Sequence, residues 1–208
     1  MMTIDPTNER SAFLQLYTVD QRHQADLVEL LTAHLSSVWV NHPYFVAAGV
    51  HRSLDATRVF GYSQWQPQFD PRQLPLPAAF SEFSWPELRA LQVFASRSRT
   101  APISVQQDQR ITHLAEFKLM PHNQPEMIRR ATTAVDEAMH EAGLLSATFH
   151  RSLDGERVYN YGQWENQAAF DAFVKKGVFN PDHPYWQGIA RNEYHLYEVV
   201  AVVNKVPS

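Results

Sequence analysis

Marked only as apolar or polar, the chain runs through the same succession of periods twice. Residues 12–19 (AFLQLYTV) and 111–119 (ITHLAEFKL) are apolar-rich runs of strand length. Each gives way to helical spacing. In QADLVELLTAHLSSVWV the positions Leu27, Leu30, Leu31, His34, Leu35 and Val38 fall on one stripe of period near 3.6. In QPEMIRRATTAVDEAMHEA, Pro125 sits in the first turn and Gly143 at the expected C-terminal cap.

Alternation returns after each helix, and here the wording repeats. His51 to Trp65 reads HRSLDATRVFGYSQW, and His150 to Trp164 reads HRSLDGERVYNYGQW, identical at 10 of 15 positions without a gap. Each copy predicts two strands joined by a tight turn, with Asp154-Gly155 a strong hairpin signal and Asp55-Ala56 a weaker one. The HRSLD segment is expected to pin the hairpin register in both copies. Beyond Trp164, ENQAAFDAFVKK predicts a short helix before a last strand over 194–203, and the first half ends likewise in a strand near 88–95. In the first half, Pro67, Pro71, Pro75 and Pro77 displace the second helix or replace it with loop.

Strand, helix, strand, strand, helix, strand is the order of a ferredoxin-like α+β unit, an antiparallel sheet with its helices on one face. Two such units in tandem could cover each other's bare sheet faces. The expected fold is therefore α+β, two ferredoxin-like units forming an intrachain pseudo-dimer, a dimeric α+β barrel. The expected division is 10–97 for an N-terminal domain, 98–109 for a polar linker containing Pro102, and 110–208 for a C-terminal domain.

Composition narrows the function. Of 208 residues, 44% are hydrophobic and 19% charged, enough apolar material for real cores. A net charge of -4 supplies no basic field for a phosphate backbone, so nucleic acid is not an expected partner. Without cysteine there is no thiolate nucleophile or thiolate metal site, and ten histidines without HExxH or His-x-His spacing give no reason to expect a metal. A start of MMTIDPTNERSAF and the lack of an apolar run of about 20 residues point to a cytoplasmic protein with no membrane partner.

Candidate chemistry lies on RVYNYGQW. Alternation puts Val158, Asn160, Gly162 and Trp164 on one face, with Gly162 leaving a gap between Asn160 and Trp164 that could take a ligand edge. Spacing alone leaves two readings open: a pocket, or a core Trp beside an Asn bonded to backbone near a bulge. His51 and His150 open both copies, including the one without the Asn, which favours a structural role. Asp182-His183 is expected to be a turn before Pro184.

The stretch GLLSATFHRSLDGERVYNYGQWENQAAF resembles the antibiotic biosynthesis monooxygenase family, and within it the cofactor-independent quinone-forming enzymes that act on aromatic polyketides. The first half resembles it more weakly, through HPYFVAAGVHRS and the helix before it. The resemblance implies an apolar cavity between sheet and helices in each unit, with Asn160 and Trp164 as catalytic residues whose N–H groups hold a substrate anion. It also implies a cavity wall drawn from Trp65, Phe149, Phe170, Phe173, Phe179 and Trp186. The first half has Gly61 where the second has Asn160, so its site is expected to be degenerate. Phe170 stands where the closest relatives carry a Tyr and cannot relay a proton. Arg191 is the nearest candidate for an Arg of the relatives.

The expected activity is oxidation of an anthrone-like or hydroquinone-like polyketide to a quinone by O2, with no cofactor. The alternative is a non-oxidative cyclase or ligand-binding protein on the same fold. Haem chemistry, also known in the family, expects a His in the helix after the Trp, and ENQAAFDAFVKKG has none. Pairing into a further homodimer is left open.

Overall fold

The computed structural model describes every residue except Met1, Glu9, Ser84, Ala101 and 206–208. Chain contacts divide it into two compact units: unit 1 is Met1–Leu91, Ser104–Asp108 and Tyr197–Ser208, and unit 2 is Gln92–Ile103 and Gln109–Leu196. The units are not the two continuous halves expected from the repeat. Two long strands, Glu87–Ser98 and Ala190–Asn204, are each divided between the units, and the expected linker includes the end of the first of them and a short strand at Ile103–Val105. Ala101, within that expected linker, lies outside the described residues.

In chain order unit 1 holds β1 (Met2–Ile4), β2 (Ser11–Thr18), α1 (Gln24–Ser37), β3 (Phe45–Ser53), β4 (Arg58–Trp65) and the first part of β5 (Glu87–Ser98). β6 (Ile103–Val105) pairs with β1 in a small separate sheet. Unit 2 holds the rest of β5, then β7 (Ile111–Leu119), α2 (Gln124–Ala138), β8 (Leu144–Ser152), β9 (Arg157–Trp164), α3 (Gln167–Val174) and the first part of β10 (Ala190–Asn204). Unit 1 has the antiparallel order β3–β4–β2–β5, with the end of β10 beside β3; unit 2 has β5–β8–β9–β7. Both are ferredoxin-like α+β units.

The two helices show why the pattern works and where it stops. On α1, Leu27, Leu31, His34 and Leu35 are buried against the sheet. The helix ends at Ser37, three residues short of the expected end, and Val38 is 53% exposed rather than on the buried stripe. On α2, Met127, Ala131 and Val135 are buried, and the helix ends at Ala138. Gly143 is therefore not its cap; it lies beyond a turn, with φ +78° just ahead of β8. After β4, where prolines were expected to break a helix, two short 3-10 turns at Pro71–Gln73 and Ala78–Glu82 replace it.

The hairpins are held identically in both units. Ala56 and Gly155 take left-handed φ of 61° and 83° in their turns. Ser53 donates to Asp55 at 2.6 Å and Ser152 to Asp154 at 2.7 Å. The amide of Gln24, at the start of α1, donates to the carbonyls of Ser53 and Arg58, both at 2.9 Å. Gln124 does the same to Ser152 and Arg157 at 2.9 and 3.0 Å. Each helix start is thereby tied to its hairpin, which fixes the height of helix over sheet. Each unit has its own apolar core, centred on Trp65 and Trp39 in unit 1 and on Trp164 and Phe170 in unit 2. Every such fully buried large side chain contributes on the order of 1.5–3 kcal/mol.

Candidate active site

Between the helices and sheet of unit 2 lies a cavity of about 280 Å³. It exists because the facing positions are small: Ala115 on β7, Ala147 on β8, and Ala134 and Ala138 on α2 all line it. Its volume is at the lower edge of the roughly 300–1,000 Å³ of small-molecule pockets. Aromatic walls come from Phe149, Phe173, Phe179 and Trp186, and the carboxylates of Glu137 and Glu141 also line it.

The polar groups are arranged differently from the sequence expectation. Trp164 is buried, and its indole N–H donates to His113 Nδ1 at 2.8 Å. That N–H is committed within the protein and is not a donor toward the cavity. The expected gap at Gly162 is likewise filled: His113 sits opposite it in register, and a Cβ on Gly162 would lie 2.0 Å from His113 Cε1. Gly162 makes room for an imidazole from the neighbouring strand.

His113 was not singled out from sequence, yet it lines the cavity. Burial drives its pKa down to about 3, with a hydrogen bond from the ring to the Gly162 backbone acting the other way, so the ring is neutral at ordinary pH. Because Nδ1 accepts the indole hydrogen, the ring proton sits on Nε2. Asn160 is half-buried in the cavity wall, and its Oδ1 is buried without a hydrogen-bond partner among the described residues. The Tyr185 hydroxyl is in the same condition on the same cavity, another feature missed from sequence.

Of the other expected site residues, Phe149, Phe173 and Trp186 reach the cavity. Phe170 stands behind it, packed on His113 and Trp164 at ring separations of 5.4 and 5.5 Å. Trp65 lies in the unit 1 core, where its N–H donates to Ser63 Oγ at 2.9 Å. Arg191 is exposed near the start of β10 and is not among the residues lining the cavity. His51 and His150 are buried, with pKa values lowered by desolvation to about 3 and about 4.

Unit 1 carries the same kinds of group from the opposite strand. In unit 2 the carboxamide of Asn160 on β9 faces Ala115 on β7; in unit 1 the glycine is on β4 and the carboxamide is Gln15 on β2, directly opposite Gly61. The acceptor for the Trp is exchanged too, from His113 opposite Gly162 to Ser63 opposite Phe13. In the places of Ala115 and Ala134 this core has Gln15 and His34, both buried, while the place of Ala147 is kept by Ala48. A Cβ on Gly61 would lie 3.3 Å from Gln15 Oε1 and 3.5 Å from Leu31.

With this geometry in view, comparisons with known proteins agree. Residues 110–181 match the model of the antibiotic biosynthesis monooxygenase domain. The chain is 34% identical over 84 residues to tetracenomycin-F1 monooxygenase of Streptomyces glaucescens, covering 40% of this chain and 75% of that protein. An anthrone oxidase-like protein of known crystal structure matches over 99% of this chain and 98% of its own, with TM-score 0.84 and 16% identity, a likeness of fold. A monooxygenase-type structure from Fusobacterium nucleatum matches over 94% of both chains, with TM-score 0.61 and 10% identity. The match to the family model over residues 110–181 and the 34% identity to a relative covered over 75% of its length identify the chain as a monooxygenase belonging to the antibiotic biosynthesis monooxygenase family.

Proposed function

We propose that unit 2 is a cofactor-independent oxygenase that converts an anthrone-like or hydroquinone-like polycyclic polyketide to a quinone with O2, and that unit 1 is catalytically silent. The single observation that supports this most is a pair of neutral polar side chains, Asn160 and His113, set in a cavity whose other walls are mainly alanine and aromatic. Neutral polar groups of this kind favour the anion of a bound phenol. Their effect is larger where water is excluded.

The chemistry balances without a redox group. The bound carbon acid releases a C–H proton to water, and its electron-rich anion reduces and combines with O2, forming a C–O bond. The peroxide anion takes a proton back, its O–O bond breaks as the carbon loses its remaining hydrogen as a proton, and the products are a carbonyl on the substrate and water from the second oxygen atom. Asn160 holds the anionic oxygen through its amide, whose two ends interchange by rotation. His113 lines the same wall as a neutral imidazole, and Trp164 acts through it as a positioning residue by holding its Nδ1.

Mixing the purified protein with dithranol tests the reading. Oxygen uptake with growth of quinone absorbance is expected, and Asn160→Ala should slow it by about a hundredfold. Tight binding of dithranol without oxygen uptake would replace the oxygenase with the non-oxidative reading, a cyclase or carrier.

A further inference from the structure

Two buried oxygens on the cavity wall have no hydrogen-bond partner among the described residues, Asn160 Oδ1 and the Tyr185 hydroxyl, and they are not bonded to each other. Asn160 is used in the reading above. Tyr185 is not, and a buried hydroxyl left unpaired is unfavourable enough to need an explanation.

Everything that places Tyr185 acts on its backbone or its ring. Arg130, on α2, donates from Nη1 to the carbonyl of Pro184 at 2.8 Å and, at 3.4 Å, to those of Tyr185 and Gln187. Its own orientation is set by Glu126, one turn earlier, at 2.9 Å. The Tyr185 backbone N–H donates to His183 Nδ1 at 3.2 Å. The ring is wedged between Phe117 and Trp186 at 5.6 and 5.8 Å. None of these contacts involves the hydroxyl, so a phenylalanine would be held there equally well. The hydroxyl contributes nothing visible to the fold.

We propose that Tyr185 is a second polar anchor of this cavity, donating its O–H to a carbonyl or phenolic oxygen of the ligand other than the oxygen held by Asn160. The proposal rests on the cavity being the substrate site. It specifies the ligand further: a fused aromatic with oxygen on at least two separate positions, so that one molecule satisfies both orphaned groups. A ligand with a single oxygen leaves one of them unpaired. Burial pushes the Tyr185 pKa up, which keeps the group a neutral phenol able to donate.

The test uses two probes that cannot turn over, 1,8-dihydroxyanthraquinone and the oxygen-free anthracene, titrated into the full-length protein and followed by fluorescence. Tyr185→Phe is expected to weaken dihydroxyanthraquinone binding about tenfold, the loss of one hydrogen bond, and to leave anthracene binding unchanged. The melting temperature of the unliganded variant should be unchanged or higher. Equal affinity of wild type and Tyr185→Phe for dihydroxyanthraquinone overturns the proposal, as does an equal loss with anthracene, which would mean packing. A melting temperature several degrees lower in the unliganded variant also overturns it, because the hydroxyl would then have a structural partner.

Asn160→Ala separates this inference from the functional reading. If Asn160→Ala weakens dihydroxyanthraquinone binding and Tyr185→Phe does not, the site stands and the anchor falls. If wild type binds neither probe, both fall together.

Discussion

The indole N–H of Trp164 is donated to Nδ1 of His113 across adjacent strands of unit 2, at 2.8 Å and out of contact with solvent. This bond decides which imidazole nitrogen carries the proton. It makes the tryptophan a support for the histidine, and the indole meets the cavity with its ring alone.

Trp164→Phe tests that division of labour. The ring volume is largely retained and only the donor is lost, so His113 becomes free to take either tautomer. Oxygen uptake with dithranol should fall about tenfold or more in kcat with little change in KM. The tautomer change is read directly from the His113 ring nitrogens by 15N NMR. An unchanged 15N spectrum would remove Trp164 from the mechanism.

Asn160→Leu should uncouple stability from activity. The carboxamide oxygen is buried and unpaired in the free protein, so an apolar side chain of similar size is expected to hold or raise the unfolding free energy, by up to about 1 kcal/mol. Activity should drop by about a hundredfold. Urea denaturation and oxygen uptake on the same preparation give both quantities.

Acid should destabilise the fold through its buried histidines. His51, His113 and His150 have folded pKa values of about 3, about 3 and about 4, depressed from 6.5 chiefly by burial. Below pH 6.5 the unfolded chain binds protons that the folded chain does not, so stability falls as pH falls, down to about 3–4 where the folded rings also titrate. Each ring contributes a slope of up to about 1.4 kcal/mol per pH unit within that window and none above it. Unfolding midpoints at pH 8, 6.5 and 5 should show a flat upper limb and a steep lower one. His113→Phe is expected to flatten part of that slope.

The carboxamide rung of unit 1 admits a packing test. Gly61→Asn alone puts a side chain against Gln15 Oε1 and Leu31 and should cost about 1–3 kcal/mol. Combining it with Gln15→Ala recreates the unit 2 arrangement at this rung and should recover most of the loss. Urea unfolding of the two variants checks the coupling.

Much of the architecture was legible because it depends on local periodicity. The doubled HRSLD hairpins, the helix stripes and the strand starting at Ile111 all follow from alternation and turn chemistry that neighbouring residues decide. What was not legible depends on register between distant strands. His113 sits in ITHLAEFKL on the same face as Ala115 and Phe117, an exception in an apolar alternation that could have been noticed. That it fills the space beside Gly162 follows only once β7 and β9 are paired. Tyr185 lies in a proline-punctuated segment without any period, placed by Arg130 from another element. The division of β5 and β10 between units escaped notice because strand length, not composition, carries it.

The exchange of Gln15 and Gly61 for Ala115 and Asn160 has a consequence for repairing unit 1. A Cβ at position 61 would press on Gln15 Oε1 at 3.3 Å, so an amide restored on β4 asks the amide already on β2 to move, and the two positions are expected to change together rather than singly.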